Sequence, residues 1–578
     1  MKHLKVAAWV VNLAILVCCS VSCSSVPPSP AGAAGHAMLA PHLPSAVANG
    51  KAAMTGAVGP QQRLKLAIHM PLRNQADLTQ LLHDLYDPKN PNFHKYLSVS
   101  EFTKRFAVTA QDYNTVITWA KANGLSVTAK TPNRRLLAVE GSVATVNRAF
   151  HVKVNYYRRA ADARTFYSPD REPTVVGLSV PLLQITGMNN YVLPQSMLRR
   201  RAVASAVAPV SATGSGPAGE YLPGDMRAAY YGNGPLTGAG QTIGIFSFDG
   251  YLASDVQLYY SKTGMSSNVP IKNVLVGGFN GACTAVSSPT SSSCDDGEQV
   301  LDIVNAIGMA PGIKQILFYE GSSNTEILNQ MATDNVAKVL SSSWGWNPAD
   351  AASDDPIFQE FAAQGQSFVS ASGDDGAFDS STYYFPGVDP YIIQVGGTEL
   401  TTAGRGGAWS AETAWPQSGG GYDSGTPIPR WQQLPGVINS SNLGSTTLRN
   451  SPDVAAEANF DNPTVVNGSF VTGYGGTSFA APRWAGFLAL VNQQSVANGK
   501  GTVGFINPAL YNIGVSSSYP GVFHDITSGS NPPAAGDGGG FSAVRGYDLV
   551  TGWGSPAGVG LINQLAGTSA SRRAPATH

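Results

Sequence analysis

From Tyr221 onward, short apolar runs that read as β-strands alternate with segments patterned as helices. The strand-like runs are QTIGIFSF, IKQILFYEG, AKVLSSSWG, QSFVSASGDDG and YIIQVGGTE, and the helical ones include EQVLDIVNAIG, EILNQMATDNV and SFAAPRWAGFLALVNQQ. This alternation predicts an α/β unit, a mainly parallel sheet with helices on both faces. Functional side chains in such sheets gather at the carboxyl ends of the strands, so candidate site residues are expected there.

A smaller unit precedes it. Strand-like runs such as RLKLAIHMPL and LSVTAKTPNRRLLAVEG alternate with helical runs such as DLTQLLHDLYD and TVITWAKANG, which predicts a small α+β, ferredoxin-like sandwich. A stretch of small residues follows Arg199-Arg200-Arg201 and is typical of a flexible, protease-sensitive linker. The expected boundaries are 59–195 for the small unit, 196–218 for the linker, 219–566 for the large unit and 567–578 for a flexible tail.

The first 23 residues have the layout of a secretory signal. Two lysines precede the apolar run VAAWVVNLAILVCCSV, which ends in small residues. We therefore expect an exported protein without a transmembrane helix once the signal is removed, beginning with a flexible segment at 24–58. Ser20-Val21-Ser22-Cys23 also resembles a bacterial lipobox, although serine is atypical at its first position, so a lipid anchor at Cys23 is the alternative.

Only two of the five cysteines, Cys283 and Cys294, lie beyond the signal. An even pair in an exported chain most simply forms a disulfide, and two free thiols are the alternative. On the chain-entropy estimate, closing so short a loop contributes about 3 kcal/mol of stability. A metal site is not expected at these thiols, because no histidine or third cysteine is near them in sequence.

The net charge of −1 hides a division between the two parts of the chain. Residues 1–217 hold 23 basic and 9 acidic residues, whereas the chain from residue 218 holds 13 basic and 28 acidic ones. A basic excess can indicate nucleic-acid binding or a solvated surface. Because the acidic complement lies on the same chain, we expect pairing between the units of a monomer, weakening as carboxylates protonate, and no nucleic-acid partner.

Ser478 lies in GGTSFAAP, at the start of an apolar helical stretch, and is a candidate nucleophile. A serine hydroxyl needs a group that accepts its proton during attack. After residue 218 the only histidines are His524 and His578, and His578 ends a polar tail, so His524 is the one candidate for a histidine base. A carboxylate could act instead in an acidic medium.

Glu298 and Asp302 are four residues apart in a helical pattern, which places them one turn apart on the same face. Like charges at that spacing raise each other's proton affinity, and this suits a base and its relay. A solvated surface pair is the alternative. Apolar neighbours such as Val300, Leu301 and Ile303 predict a buried helix, and burying two carboxylates is costly without a function.

An apolar strand ends in SGDDG, which places Asp374 or Asp375 at a carboxyl edge. A protonated carboxyl there can donate a hydrogen bond to the oxyanion that forms in acyl transfer, whereas an ionised one would repel it. The alternative is an aspartate that caps a turn before glycine.

Together, GGTSFAAP, the buried EQVLD and SASGDDG resemble the sedolisins, or serine-carboxyl peptidases, especially their kumamolisin-like branch. The resemblance runs from about Gln61 to Gly554, and the N-terminal unit is similar to the pro-kumamolisin activation domain, which implies an intramolecular inhibitor. The resemblance implies Ser478 as nucleophile, Glu298 as general base, Asp302 as the acid that orients it, and Asp374 as oxyanion donor. It also implies that Ser342, Trp344 and Gly345 line the substrate cleft, although packing at a strand end would explain them equally well.

The C-terminal segments FHDITSG and RGYDLVTGWG look like the calcium site of that family. Carboxylates and carbonyl oxygens are the ligands that calcium prefers. The resemblance implies five ligands: Asp525, Ile526, Val544, Gly546 and Asp548. Val544 stands where the family usually has glycine, which predicts some strain, and the residues by themselves read as turn-forming aspartates.

The function expected from the sequence is a secreted, acid-acting serine endopeptidase that is made as a self-processing zymogen and cleaves polypeptides through an acyl-enzyme. The rival hypotheses are a histidine-dependent subtilase, since GTSFAAP fits both groups, and a non-catalytic secreted calcium-binding protein of the same fold.

Overall fold

The computed structural model describes residues 36–159, 163–201, 213–232, 234–284, 294–346, 351–378, 385–534 and 539–567. The expected signal at 1–23, the lipid site at Cys23, most of the linker and nearly all of the tail lie outside these ranges. None of the helices within them is both long and apolar enough to cross a membrane.

The N-terminal unit is an α+β sandwich, as expected. Its elements are β1 (His36–Ala37), α1 (Ser45–Ala48), β2 (Ala53–Ala57), β3 (Arg63–His69), α2 (Gln75–Tyr86), α3 (Val99–Phe106), α4 (Ala110–Ala122), β4 (Ser126–Lys130), β5 (Leu136–Ser142), α5 (Val143–Phe150), β6 (Val154–Arg158), β7 (Thr165–Pro169), β8 (Thr174–Val175) and β9 (Gln184–Thr186). The main sheet is antiparallel in the order β4-β5-β3-β9, beside a smaller sheet β2-β6-β7. The apolar faces of α4 and α5 share one core with β3 and β5.

Two short strands follow, β10 (Pro194–Ser196) and β11 (Arg199–Arg200). The remaining elements are α6 (Pro223–Tyr230), β12 (Thr242–Ser247), α7 (Ala253–Thr263), β13 (Ile271–Leu275), α8 (Gly297–Met309), β14 (Gln315–Glu320), α9 (Asn324–Asp334), β15 (Val339–Ser342), β16 (Trp344–Trp346), α10 (Ala351–Ala363), β17 (Ser367–Ala371), β18 (Ile393–Thr402), β19 (Trp409–Ala414), β20 (Gly421–Pro427), β21 (Leu448–Ser451), β22 (Val454–Glu457), β23 (Asn462–Val466), β24 (Ser469–Gly475), α11 (Thr477–Ala497), α12 (Asn507–Gly514), β25 (Phe523–His524), β26 (Ser555–Pro556) and α13 (Val559–Ala566).

The large unit has the mainly parallel sheet that the alternating pattern predicts. Strands β13-β14-β12-β15-β17-β18 run parallel in that order, β22 adds a further parallel pairing to β18, and only β19 is antiparallel. Successive side chains of a strand point to opposite faces. Val339 and Val369 accordingly join the core that contains α8 and α11, whereas Leu340 and Phe368 join the core that contains α9 and α10.

Helices α8 and α11 pack closely on the same face of the sheet. A Cβ at Gly486 of α11 would lie 2.8 Å from the carbonyl oxygen of Ala306 in α8, so glycine permits this approach. Val300, Val304 and Leu488 belong to one buried core, and Nε of Arg483 in α11 donates to Oδ1 of Asn305 in α8 at 3.0 Å. This packing fixes the start of α11 relative to the first turns of α8.

Cys283 and Cys294 form the expected disulfide. Asp296 lies near the two sulfur atoms. Because the sulfurs are bonded to each other, they are not available as thiolate ligands, so this cluster is not a metal site.

The two units meet through an apolar patch, together with hydrogen bonds from tyrosine hydroxyls to backbone carbonyls. The patch joins α2 and α3 to the large unit, with Leu78, Leu81, Leu82, Leu85, Phe102, Phe106, Ala362, Ala363 and Phe505 buried in it. The hydroxyl of Tyr86 donates to the Ala362 carbonyl at 2.6 Å, and that of Tyr96 donates to the Val503 carbonyl at 2.7 Å. This contact is therefore built from apolar side chains and hydrogen bonds.

One buried polar contact lies in the same interface. The amide nitrogen of Asn133 donates to both carboxyl oxygens of Glu360, at 3.2 and 3.0 Å. Burial raises the pKa of Glu360 from 4.5 to about 7, although the charge of Arg135 opposes the shift. Arg135 and Asn133 of the small unit both lower this pKa, so their contacts favour the ionised form of Glu360 and weaken when it is protonated. The sign of this one contact is that of the expected weakening in acid.

Candidate active site

Ser478 lies in the first turn of α11 and is fully buried. The preceding Gly476 has φ 134°, a backbone conformation that favours glycine. The Ser478 hydroxyl donates a hydrogen bond to the carbonyl oxygen of Met197, which lies between β10 and β11. The serine thus faces a peptide carbonyl supplied by its own chain.

Glu298 and Asp302 lie in the first two turns of α8, only 2% and 1% exposed. Burial is the largest cause that raises the pKa of Glu298 well above its ordinary value, and the charges of Asp302 and Asp374 add to it. Ser478 and Ser196 lie close enough to oppose this shift. Among the described residues, however, no group donates a hydrogen bond of ordinary length to either Glu298 oxygen. These oxygens are therefore free to accept a proton from a nearby hydroxyl.

Ser343 connects the carboxyl pair to the serine. Its hydroxyl lies 2.6 Å from Oδ1 of Asp302, to which it donates, and 3.2 Å from the carbonyl oxygen of Ser478. Its own carbonyl accepts the Met197 amide at 3.0 Å. Burial raises the pKa of Asp302 well above its ordinary value, and the bond from Ser343 opposes this.

Sequence reasoning did not select Ser343, although it directly follows the end of β15. A polar residue at the carboxyl end of a central parallel strand was the available signal.

Asp374 follows the end of β17 and approaches the serine from the other side. Its Oδ1 accepts hydrogen bonds from the backbone nitrogen and the hydroxyl of Thr477, both at 2.8 Å. Its Oδ2 has no hydrogen-bond partner among the described residues. A Cβ at Gly476 would overlap the Met197 carbonyl oxygen and would lie 2.8 Å from this Oδ2, so the two oxygens are neighbours across the glycine.

Burial raises the pKa of Asp374 from 3.8 to about 7, against the opposing effects of Arg199 and Thr477. Below that pH the carboxyl is protonated, and its unpaired Oδ2 can donate a hydrogen bond to an oxygen beside Gly476. Asp375 has a different environment, because it is 28% exposed and pairs with Arg199 at 3.5 Å. The geometry therefore distinguishes two aspartates that the sequence left open.

Residues 194–201, which we call the crossing segment, run through this site as an extended chain. Strand β10 pairs antiparallel with β16, with Gln195 opposite Gly345 and Ser196 opposite Trp344. Strand β11 pairs antiparallel with β24. The start of the expected flexible linker is thus ordered by hydrogen bonding to two strand edges.

Of the three expected cleft residues, Trp344 and Gly345 lie directly against the crossing segment. The hydroxyl of Ser342 instead accepts from the Trp344 nitrogen and donates to its carbonyl oxygen, both at 3.2 Å. Ser342 therefore shapes the turn after β15.

His524 lies in β25, where its ring stacks on Trp409 with centroids 4.0 Å apart. Burial lowers its pKa from 6.5 to about 4. A histidine base at Ser478 would need to face the serine, whereas the observed ring contact of His524 is with β19.

The five expected metal ligands lie in two segments, 525–526 and 544–548, that contact each other. Oδ1 of Asp525 accepts from the Gly546 nitrogen at 3.0 Å, and Oδ2 of Asp548 accepts from the Val544 nitrogen at 3.0 Å. These contacts bring Asp525 beside Gly546 and Asp548 beside Val544, and carboxylate and backbone carbonyl oxygens are the donor types that calcium prefers. Val544 does not have a positive φ, so the expected backbone strain at this valine does not arise from a left-handed conformation.

The arrangement as a whole suits acyl transfer. A hydroxyl contacts a peptide carbonyl, a carboxyl with open oxygens lies near the hydroxyl, and a second carboxyl can donate a proton near the carbonyl oxygen. Nucleophile, base and oxyanion donor are the groups that this chemistry requires.

Comparisons with known proteins agree with this chemistry. Residues 51–182 match the family model described as the pro-kumamolisin activation domain, and residues 277–503 match the subtilase family. Sedolisin from Pseudomonas sp. (strain 101) is 32% identical over 533 residues, which are 85% of this chain and 85% of that protein. Kumamolisin from Bacillus sp. (strain MN-32) is 31% identical over 514 residues, 84% of this chain and 88% of that protein.

Among solved structures, Pseudomonas sedolisin, a serine-carboxyl proteinase complexed with two molecules of pseudo-iodotyrostatin, is similar with a TM-score of 0.51 and 31% identity. The match covers 61% of this chain and 98% of that chain.

Replacing Gly476 by alanine is expected to destabilise the full chain and to displace the crossing segment. The positive φ costs on the order of 1–3 kcal/mol for a residue with a side chain, and the new Cβ would overlap the Met197 carbonyl oxygen. Chemical denaturation would measure the loss, and hydrogen exchange of residues 194–201 would report the displacement.

Gly473→Ala is the matched control, because Gly473 also has a positive φ, 76°, but open space around the Cβ position. Equal stability losses and equal exchange in the two variants would contradict the proposed contact.

Proposed function

This chain belongs to the sedolisin family of serine-carboxyl peptidases, and on that premise we propose that it is a secreted, acid-acting endopeptidase that matures by cleaving itself. The observation that carries the proposal is the contact between the Ser478 hydroxyl and the Met197 carbonyl, with Glu298 and Asp374 buried beside it. The crossing segment continues on both sides of that carbonyl, which supports cleavage within a chain.

In the proposed reaction, Ser478 Oγ attacks the carbonyl carbon of the scissile peptide while Glu298 accepts its proton. Burial and the neighbouring Asp302 favour the protonated form of Glu298, so we propose that the two carboxyls hold one proton between them. Ser343 orients Asp302 in this pair. Glu298 then returns the proton to the leaving amine, and a water molecule hydrolyses the acyl-enzyme with Glu298 again as base.

Asp374 is the proposed oxyanion donor. Its raised pKa keeps it protonated below about pH 7, and its bonds from Thr477 leave Oδ2 to carry the proton towards the carbonyl oxygen. A donor positioned before the reaction stabilises the developing negative charge without reorganisation.

The N-terminal unit, which is a pro-kumamolisin activation domain over most of its length, is the proposed intramolecular inhibitor. We propose a prodomain at residues 59–195 and a peptidase at 219–566, with maturation between them. A cleft filled by the crossing segment excludes other polypeptides, so cleavage of that segment would release inhibition. Protonation of Asp374 below about pH 7 is the proposed pH trigger, because only the protonated carboxyl can donate to the oxyanion.

Secretion is supported by the signal-like residues 1–23 and by the disulfide between Cys283 and Cys294. A lipid anchor at Cys23 is the alternative form of export.

Calcium is the proposed cofactor, held by the carboxylates of Asp525 and Asp548 and by the carbonyl oxygens of Ile526, Val544 and Gly546. Its role would be structural. The ion would balance the negative charges of the two carboxylates in the loop, of which Asp548 is fully buried.

Replacing Glu298 by glutamine is expected to lower kcat/KM by about 100- to 10,000-fold, the range for loss of a general base. His524→Phe is the matched test of the histidine-dependent alternative, since phenylalanine can keep the stacking on Trp409. We expect the phenylalanine variant to stay within about threefold of wild type, because His524 takes no part in the proposed chemistry. Cleavage of an unfolded protein substrate in acid gives both rates.

The reverse ranking of these two variants would establish the histidine mechanism. A wild-type protein that neither matures nor cleaves the unfolded substrate in acid would support the non-catalytic alternative.

The activity is expected to fall as the pH rises through about 7, because Asp374 loses its proton there. Asp374→Asn keeps an N–H donor but cannot ionise, so this decline should disappear while kcat falls by about 100- to 1,000-fold. Rates of peptide cleavage between about pH 4 and pH 9 would measure both effects. An unchanged alkaline limb in the asparagine variant would exclude Asp374 as its origin.

Chelation of calcium is expected to lower thermal stability and to leave the disulfide intact. A ligand present at 100 times its Kd contributes about 2.7 kcal/mol to the free energy of unfolding. Thermal unfolding with calcium or with chelator would show the difference, and Asp548→Asn should reduce it. If chelator lowered the thermal stability of the wild type and of the asparagine variant equally, the proposal of Asp548 as a calcium ligand would be wrong.

A further inference from the structure

The crossing segment identifies the peptide bond that faces the serine. Met197 supplies the carbonyl that accepts the Ser478 hydroxyl, and the same carbonyl lies against Gly476 beside Oδ2 of Asp374. The Met197 amide donates to the Ser343 carbonyl at 3.0 Å. The next bond along the chain, between Met197 and Leu198, is therefore the one in position for attack.

The side chains on either side of this bond are held by the large unit. Met197 is 1% exposed and belongs to the core that contains α8 and α11. Leu198 lies over the start of α8, where a Cβ at Gly297 would approach its side chain to 3.0 Å. Both residues thus occupy apolar positions beside the catalytic groups.

The residues after the bond are three arginines in an extended chain. Arg199 lies opposite Gly475 and Arg200 opposite Tyr474 in the pairing of β11 with β24, and the Arg201 amide donates to the Gly473 carbonyl at 3.0 Å. Alternate side chains of a strand point in opposite directions. Arg200 is exposed, whereas Arg199 and Arg201 are partly buried against the large unit.

Each of the two partly buried arginines contacts a side chain of the large unit. Nη2 of Arg199 lies 3.5 Å from Oδ2 of Asp375, with 30% and 28% of the respective side chains exposed. The guanidinium of Arg201 lies over the ring of Phe460, 5.8 Å from the ring centre, a cation–π contact. These groups all belong to the large unit and remain after maturation.

We infer that this enzyme cleaves its own chain between Met197 and Leu198, and that Asp375 and Phe460 select substrates with arginine at the second and fourth positions after the cleaved bond. The inference rests on the proposed peptidase function and extends it to substrate selection. The C–N bond of Met197–Leu198 breaks as the Ser478 ester forms, and the serine proton passes to the Leu198 amine. Water then hydrolyses the ester and leaves a carboxylic acid on Met197.

The cleavage site is tested on the full chain in acid, with mass spectrometry and N-terminal sequencing at early times, before secondary trimming. The expected first new N-terminus is Leu198, and Ser478→Ala should remain intact. A different first cut by an enzyme that also digests an added unfolded protein would overturn the inference and leave the proposed function standing. Absence of both cleavages in the wild type would overturn the two together.

Selection is tested with the matured enzyme and the peptide VLPQSMLRRRAV, which spans residues 192–203. Replacing its Arg199 by glutamine should lower kcat/KM by about two- to fivefold, as expected for a partly exposed ion pair. Replacing Arg201 should act in the same direction. The matched control is Arg200→Gln, which removes the same charge from a solvent-facing position and should have the smaller effect.

Charge reversal separates selection by Asp375 from a general preference for basic peptides. The Asp375→Asn enzyme should cleave the unchanged peptide and its Arg199→Gln variant at similar rates, and the Asp375→Lys enzyme should prefer a peptide with Arg199→Glu. The assay at about pH 5 keeps ordinary surface carboxylates largely ionised. Equal losses of kcat/KM for the Arg199→Gln and Arg200→Gln peptides with the wild-type enzyme would overturn the assignment. This comparison requires no enzyme variant to fold.

Discussion

The burial of carboxyl groups around Ser478 is the constraint on which the rest of the site depends. A buried carboxylate normally needs donors or a cation, as Asp453 shows by accepting from Arg449 at 2.7 Å and from the Tyr511 hydroxyl at 2.8 Å. Glu298 lies as deep in the protein, but no described group donates a hydrogen bond of ordinary length to it. Its environment therefore favours a bound proton, which is the physical basis of a site suited to acid.

The packing of α8 against α11 makes this arrangement possible. Because both helices begin near the carboxyl ends of β15 and β17, their first turns bring Glu298 and Asp302 to the side of the serine where Ser343 lies. Asp374 approaches from β17 on the other side and is held by Thr477. Each carboxyl has its own environment, which allows chemically similar groups to take different roles in the proposed reaction.

The cleft itself consists of two strand edges. Backbone groups of β16 and β24 pair with an extended chain whatever its side chains are. Backbone pairing therefore supplies binding strength, and contacts with side chains supply selectivity. In this molecule the pairing partner is the chain's own segment at 194–201. The segment that joins the units also serves as a bound peptide, and its side chains show which positions of the large unit meet a substrate.

Much of the architecture could be predicted without coordinates. Alternating apolar patterns predicted the parallel sheet, and the spacing of Glu298 and Asp302 predicted that they share one face of a helix. An even cysteine pair predicted the disulfide. These features depend on neighbours within a short stretch of chain. The strand-end pattern by itself did not separate Asp374, which only the resemblance selected, from Asp375, since one contacts Thr477 and the other Arg199, both distant in sequence. The expected flexible linker began at residue 196, yet remote strand edges order its first residues. The sequence alone thus determined which chemical groups are present and which elements carry them. Only the tertiary structure decided which carboxyl holds a proton and which peptide bond meets the serine. Both depend on burial and long-range strand pairing, which exist only in the folded chain.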